Sequence, residues 1–446
     1  MSEFLSNMAS LVWGTPLLIF LITANLILLY FSKLIPLRGL KHSIKLINKK
    51  EVTDYDKGEI THFEALCNAL AATIGLGNIS GVAVAIYQGG AGAIFWMWIA
   101  AFLGMNTKFF ECTLAVLFRG KNHEGQMQGG PMYYIESGLG KKFKPMGYFF
   151  AVCGVIGTLA LFQINQLSAF MKTEYNVDHI VTGITFAGLI FYILIGGLKR
   201  ISRFTSKVVP LMSVLYFLLC LFILILNYDK VWTTFTSIFV EALTGKSITG
   251  GVLGYSIMHI MKTGVKRAAF SNEAGIGTAP MAHGNAKTDE PISEGYVAMI
   301  GPLIDTIIVC TLTALTILVS MDATMDGSNG INLTSLAFQK NLGVFGKHSL
   351  GIIILLFSFS TMIGMANYNK KCWDYLFKGR RFLGSKAFIV YYVLSIGFGA
   401  MIKMSSVINL IDIAYALMAI PNIIATVILA PVVRKKLKEY NLKYKI

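Results

Sequence analysis

The chain has 446 residues, of which 55% are hydrophobic and only 14% charged, with mean hydropathy +0.63. Soluble domains carry about 25% charged residues, so most of this chain is solvated by lipid and a soluble enzyme or nucleic-acid-binding domain is excluded. The formal charge of +16 follows the loops between apolar runs and forms no nucleic-acid-binding tract. The six cysteines stand singly, without CxxC or metal-type spacing, which argues against disulfides and structural zinc.

Apolar runs of bilayer length, roughly 20 residues each, predict eleven spans. The first covers 11–33; it lacks a basic leader and is as long as a full span, so it reads as a helix rather than a cleavable signal. The second, 62–88, holds "TIGLGNISG", in which Gly75, Gly77 and Gly81 each weaken a helix by about 1 kcal/mol relative to alanine. The third, 90–118, contains Lys108 and Glu111, whose i,i+3 spacing predicts a mutually neutralised pair. The fourth, 147–170, carries "LFQINQLSAF". Its Gln163 and Gln166 share a face, and amides at such depth either join helices or line a cavity.

Spans at 178–198 and 206–228 follow, then 233–264, interrupted by glycines between 245 and 254. The eighth, 291–320, holds Asp305. The ninth, 347–377, holds Ser358, Ser360, Thr361 and Asn367; 384–403 is the tenth, and the last, 405–432, holds Asp412. Ser358 reads as bonded to its own helical turn. Buried membrane carboxylates are functional candidates, so Asp305 and Asp412 are proton-relay candidates.

Five lysines, Lys172, Lys230, Lys340, Lys347 and Lys403, fall on one side of this arrangement, and Lys108 and Lys246 fall inside spans. Every other one of the 39 lysines and arginines falls on the opposite side or in the tail from Arg434. Positive loops are cytoplasmic, which predicts a multi-pass protein of the plasma membrane (an inner membrane in a two-membrane cell), with its N-terminus outside and C-terminus inside. With the first helix set aside, the ten remaining spans divide into 62–228 and 229–432, of opposite orientation. Residues 1–61 form the extra helix and a basic loop, and 433–446 a basic tail. A glycine-broken helix opening each inverted half is the sequence mark of a secondary transporter.

Backbone that leaves helical geometry at membrane depth needs partners that lipid does not supply. Helix packing by glycine is the competing explanation; a dinucleotide fingerprint fails because the spacing is G-x-G-x-x-x-G with no strand before it. If the break is a site, the N–H groups after it suit a carboxylate and the carbonyls before it, from Ala71 to Ile74, suit a hard cation. Thr73, Gly75, Gly77 and Asn78 then face substrate, and Ser360 and Thr361 supply further neutral oxygens, which suit an alkali ion. No nucleophilic triad, phosphate loop or zinc motif is present, which argues against an enzyme with a cofactor.

The segments "ALAATIGLGNISGVAVAI", "GGAGAIFWMWIAAFLGMNTKFFE", "GGPMYYIE", "GVKRAAFSNEAGIGTAPMAHGNAKTDEP" and "IDTIIVCTLTAL" resemble the alanine or glycine:cation symporter family from about residue 60 to 430. That resemblance implies a leucine-transporter-like core of ten helices plus one. It implies Na+-coupled uptake of small neutral amino acids, Na+ being the coupling ion and no other metal or cofactor being needed. It assigns Asn78 and Gln163 to the substrate and, by analogy with the wider fold, the Ala71 and Ile74 carbonyls with the Ser360 and Thr361 hydroxyls to Na+. Two residues depart from the family pattern: Leu76 replaces a threonine in the break, and Met365 replaces a tryptophan, giving a more adaptable pocket wall. The "FSNEAGIGTAP" stretch reads as a cytoplasmic loop with Glu273 at an inner gate, and "GGPMYYIE" as a turn before an interfacial helix. A proton-coupled permease is the first rival, and a substrate-gated channel the second. Oligomeric state has no signature in the sequence.

Overall fold

The structure is a computed structural model, and it describes residues 2–47, 58–121, 125, 127–245, 256–321, 328–377 and 383–444. The predicted glycine break between 245 and 254, and Lys246, fall largely outside those residues; Gly245 is described, as the left-handed cap of a helix.

Among the described residues the chain is helical apart from one hairpin. The N-terminal part forms α1 (Ser2–Val12), α2 (Thr15–Ser32), α3 (Ile35–Arg38) and α4 (Leu40–Ile47). The span at 62–88 is two helices, α5 (His62–Thr73) and α6 (Leu76–Gly89), bent by 41°. A capping box opens α5: the Thr61 hydroxyl accepts from the Glu64 N–H, and the Glu64 carboxylate accepts from the Thr61 N–H. Next come α7 (Gly92–Leu117), the strands β1 (Gly120–Lys121) and β2 (Met127–Gln128), and α8 (Pro131–Gly138).

The fourth span is present, over Lys141–Tyr175, with an interruption the sequence did not predict. It is α9 (Lys144–Gly157) and α10 (Leu161–Tyr175), separated at Thr158 to Ala160. Side chains from two later helices satisfy the last turn before the break: Asn369 donates to the Val155 carbonyl at 2.7 Å, and Tyr391 donates to the same oxygen at 3.0 Å. Then follow α11 (His179–Leu194), α12 (Gly197–Leu226) and α13 (Tyr228–Thr244).

The seventh span is also displaced. Helix α14 (Ile257–Asn272) runs well past the predicted end at 264, and the chain leaves helical geometry at 273–278 before α15 (Ala279–His283). Glu273, Gly275 and Gly277 all have positive φ there. The "SNEAGIG" stretch is therefore the described helix break, where a loop was predicted, and Lys262, Lys266 and Arg267 lie inside a helix instead of a basic loop.

The remaining elements are α16 (Pro291–Ala298), α17 (Ile300–Pro302), a π-helical turn over Leu303–Cys310, α18 (Thr311–Ser320), α19 (Ile331–Leu376), α20 (Ser385–Gly399) and α21 (Met404–Tyr444). Helix α19 adds a segment before the predicted 347–377 span, kinked at Gly343. The last helix continues through the predicted basic tail. Among the described residues seven helical stretches are long and apolar enough to cross a membrane, α1–α2, α9–α10 and α16–α18 each counting as one; they become eight if α5 and α6 count as one bent span, and α11 and α20 are shorter apolar helices. The core packs around α7, α14, α19 and α21 and surrounds the breaks.

Candidate functional site at three helix breaks

The break at Gly75 is closed by side chains. Asn78 Oδ1 accepts the Gly75 N–H at 3.0 Å, and its Nδ2 donates to the Asp305 carbonyl at 3.1 Å and the Ser271 hydroxyl at 3.3 Å. Asn78 thereby joins α6 to α14 and to the π-helical turn from a fully buried position. Close approach requires glycine at position 75. A Cβ on Gly75 would lie 2.2 Å from the Thr361 hydroxyl, and Gly77 and Gly81 face the Phe270 ring.

The second break has its own partners. Asn272 Oδ1 accepts the Ala274 N–H at 3.0 Å, and Asn422 Nδ2 donates to the Gly275 carbonyl at 2.8 Å. The Glu273 carboxylate accepts from the Tyr415 hydroxyl at 2.9 Å and from Thr278 at 2.5 Å. Sequence reasoning placed Glu273 at an inner gate. The structure puts it on the wall of a central cavity of about 10 Å³, room for about one water.

Four predicted substrate residues, Thr73, Gly77, Gln163 and Met365, line the same cavity. Gly75, Asn78 and Thr361 do not line it. Phe270, Ile411 and Tyr415 were missed. Their only signal is spacing from polar residues that attracted attention: Phe270 is three residues before Glu273, and Tyr415 three after Asp412. Polar residues from α5 and α10, the α6 break, and the loop after α14 thus meet at one nearly closed space, walled by Met365 and two aromatic rings.

Of the four predicted ion ligands, Thr361 and Ile74 are brought together, with the hydroxyl 3.5 Å from the carbonyl oxygen. Ser360 donates to the Phe357 carbonyl at 3.0 Å and contacts Met212 Sδ at 3.3 Å. Ala71 is fully buried on the same helix as Ile74. The neutral oxygen chemistry at Thr361 and Ile74 fits an alkali ion, with Ser360 turned toward its own helix.

Asp305 sits on the π-helical turn, a geometry that recurs at functional sites. Its Oδ1 accepts from Ser271 at 2.6 Å and Thr306 at 2.8 Å, while Oδ2 is buried with no hydrogen-bond partner. Asp412 is different. Arg267 Nη2 lies 2.7 Å from both of its oxygens, and Lys266 Nζ 2.6 Å from one of them. Glu111 bonds to Asn422 at 2.8 Å, and among the described residues no ion pair joins it to Lys108 as the spacing predicted.

Discontinuous helices meeting around a small central cavity define a secondary-transporter fold. A solved structure, described as MhsT in complex with L-phenylalanine, matches 83% of this chain and 89% of its own with TM-score 0.58 at 12% identity, which shows the shared fold. Residues 1–446 match the sodium:alanine symporter family, and the chain belongs to that family. The sodium/alanine symporter AgcS of Methanococcus maripaludis is 36% identical over 98% of this chain and 97% of its own. The probable sodium/glutamine symporter GlnT of Bacillus subtilis is 33% identical over 97% of this chain and 89% of its own. The protein is a multi-pass membrane transporter of the amino-acid:cation symport type, in a family of transporters and not of enzymes.

Proposed function

We propose that the protein imports small neutral amino acids, alanine and glycine foremost, together with Na+ by alternating access. Eleven spans are proposed, an extra N-terminal helix and two inverted sets of five, with the N-terminus outside and the C-terminus cytoplasmic. The observation that carries this reading is the meeting of the Gly75 break and the 273–278 break around a cavity holding both a helix N-terminus and a carboxylate. A zwitterion needs both. Its carboxylate suits the start of α6 at Gly77, where unpaired N–H groups and the helix dipole favour negative charge. Its ammonium suits Glu273, whose oxygens keep acceptor capacity beyond the bonds from Tyr415 and Thr278.

Gln163 supplies an amide beside them, and Thr361 with Ile74 supplies oxygens for Na+ directly behind Gly75. Phe270, Met365 and Tyr415 leave little volume for a side chain, which favours alanine and glycine; the flexible Met365 sets how far a larger residue is admitted. Arg267 and Asp412 stand one turn from Phe270 and Tyr415 on their helices, so their ion pair suits an outer closure. The Glu294 carboxylate takes both His62 and His283, linking the start of α5 to the end of α15, which suits an inner closure.

The unpartnered Asp305 Oδ2 favours a second reading, in which a proton or a further cation is carried there. Uptake of labelled alanine into proteoliposomes tests both readings. An inward Na+ gradient is expected to drive accumulation that is lost in Thr361→Ala. Accumulation under a proton gradient without Na+, lost in Asp305→Asn, would replace the Na+ reading.

A further inference from the structure

Two sequence motifs remain unexplained by the central cavity, "GGP" after β2 and "HGN" after α15. They cross one another. A Cβ on Gly129 would lie 2.6 Å from Gly284 Cα, and one on Gly284 would lie 2.5 Å from Gly129 Cα, so each glycine is there to let the other backbone in. The crossing sets Gln128 beside Asn285. Both are buried, and each keeps one polar atom without a partner: Oε1 of Gln128 and Nδ2 of Asn285. Unpartnered buried polar atoms of this kind cost about 1–3 kcal/mol each, and two together in one place call for a reason.

Both residues line a second cavity, of about 260 Å³, between α12, α19 and α20. Lys371 lines it as well. Its ammonium donates to the Met281 carbonyl and to Asn285 Oδ1, the latter at 2.9 Å, which turns Asn285 Nδ2 away from the lysine. Asp374 and Lys370 on the same helix form an ion pair at 2.7 Å on the cavity wall. Residues bearing donors (Asn285, Lys371) and residues bearing acceptors (Gln128, Asp374) therefore line one space. The first residues of α19 to line it, Ala366 and Asn367, follow directly on Met365, which lines the central cavity.

We propose that this cavity is a second, weaker binding site for the transported zwitterion, on the cytoplasmic side of the central one. Asn285 and Lys371 receive the carboxylate and Gln128 with Asp374 receives the ammonium, so that the substrate is caught as it leaves the central site. The assignment of side and ligand rests on the import reading above. The glycine crossing then has a functional purpose, since it fixes the two unpartnered amides where a ligand satisfies them.

Equilibrium binding of labelled alanine to the purified full-length protein in nanodiscs, at saturating Na+ and up to millimolar alanine, tests it. The expected isotherm has two components approaching two molecules per chain. Gln128→Leu and Asn285→Leu each weaken only the weaker component by about tenfold, as for one lost hydrogen bond, while Glu273→Gln weakens only the tighter one. Two variants are used because either substitution could unsettle the crossing, and thermal unfolding reports that separately. A single component of one molecule per chain, or a weak component indifferent to a well-folded Gln128→Leu and Asn285→Leu, overturns the second site and leaves the import reading standing. Absence of any alanine binding overturns both.

Discussion

The Thr361 hydroxyl occupies the space that a side chain on Gly75 would take, and it lies 3.5 Å from the Ile74 carbonyl freed by the same break. One contact therefore ties the glycine requirement of α5 and α6 to the oxygen chemistry of α19. Gly75 has an extended backbone that any residue adopts, so the constraint is space and not conformation. Gly75→Ala is expected to destabilise the protein by about 1–3 kcal/mol through overpacking and to abolish Na+-dependent uptake. Adding Thr361→Ala removes the 2.2 Å clash. The double variant should then regain melting temperature without regaining uptake. A single variant as stable and active as the parent would refute the arrangement.

Asn78 acts as donor and acceptor at once, and the two roles are separable. Asn78→Leu leaves the Gly75 N–H unpaired, costing about 1–3 kcal/mol, and takes one donor from the Asp305 carbonyl. Asn78→Asp keeps the acceptor but sets a carboxylate oxygen against the Asp305 carbonyl. Thermal unfolding should therefore rank Asn78→Asp below Asn78→Leu, despite its closer shape. The reverse order would mean that the Asp305 contact contributes little.

Asp412 neutralises two cations, whereas Arg267 has one anion and leaves Nε and Nη1 buried without partners. Removing one partner of a buried pair costs about 3–5 kcal/mol because the other charge is stranded. Asp412→Asn strands Arg267 and Lys266 together. Arg267→Leu leaves Lys266 to neutralise Asp412 and removes two unsatisfied nitrogens. Asp412→Asn should consequently be the more destabilising by at least about 2 kcal/mol in chemical denaturation. Equal effects would argue against this division of charge.

The helical, membrane-spanning class was legible because apolar length is a local property of the sequence. The Gly75 break was legible too, since three glycines and an asparagine interrupt an otherwise apolar run. The break at 273–278 was hidden by its basic flank: Lys262, Lys266 and Arg267 read as a loop, and Asp412, the partner of Lys266 and Arg267, is distant in sequence. The break between α9 and α10 has a lone Gly157 before "TLA" as its signal, and its carbonyl partner, Asn369, lies over 200 residues away. Burial of Phe270 and Tyr415 on a cavity wall was likewise beyond reach, because aromatic residues on apolar helices face lipid or core alike. Thr73 and Gln163 were found because polar residues stand out in apolar runs, and Met365 because it departs from the family pattern.

Glu273 offers the sharpest separation of folding from transport. Glu273→Gln preserves Oε1 as acceptor for Tyr415, and the Thr278 hydroxyl, now facing an amide, turns to accept instead of donate. The backbone at φ 56° is unchanged by the substitution. Stability should stay within about 1 kcal/mol of the parent. Affinity for alanine should fall by tenfold or more, since a hydrogen bond between charged groups contributes about 1.5–3 kcal/mol. Isothermal titration with alanine at fixed Na+, beside a thermal unfolding curve, reads both quantities on one preparation. A stable variant that binds alanine as tightly as the parent would mean that the ammonium is held elsewhere, and that Glu273 serves the helix break alone.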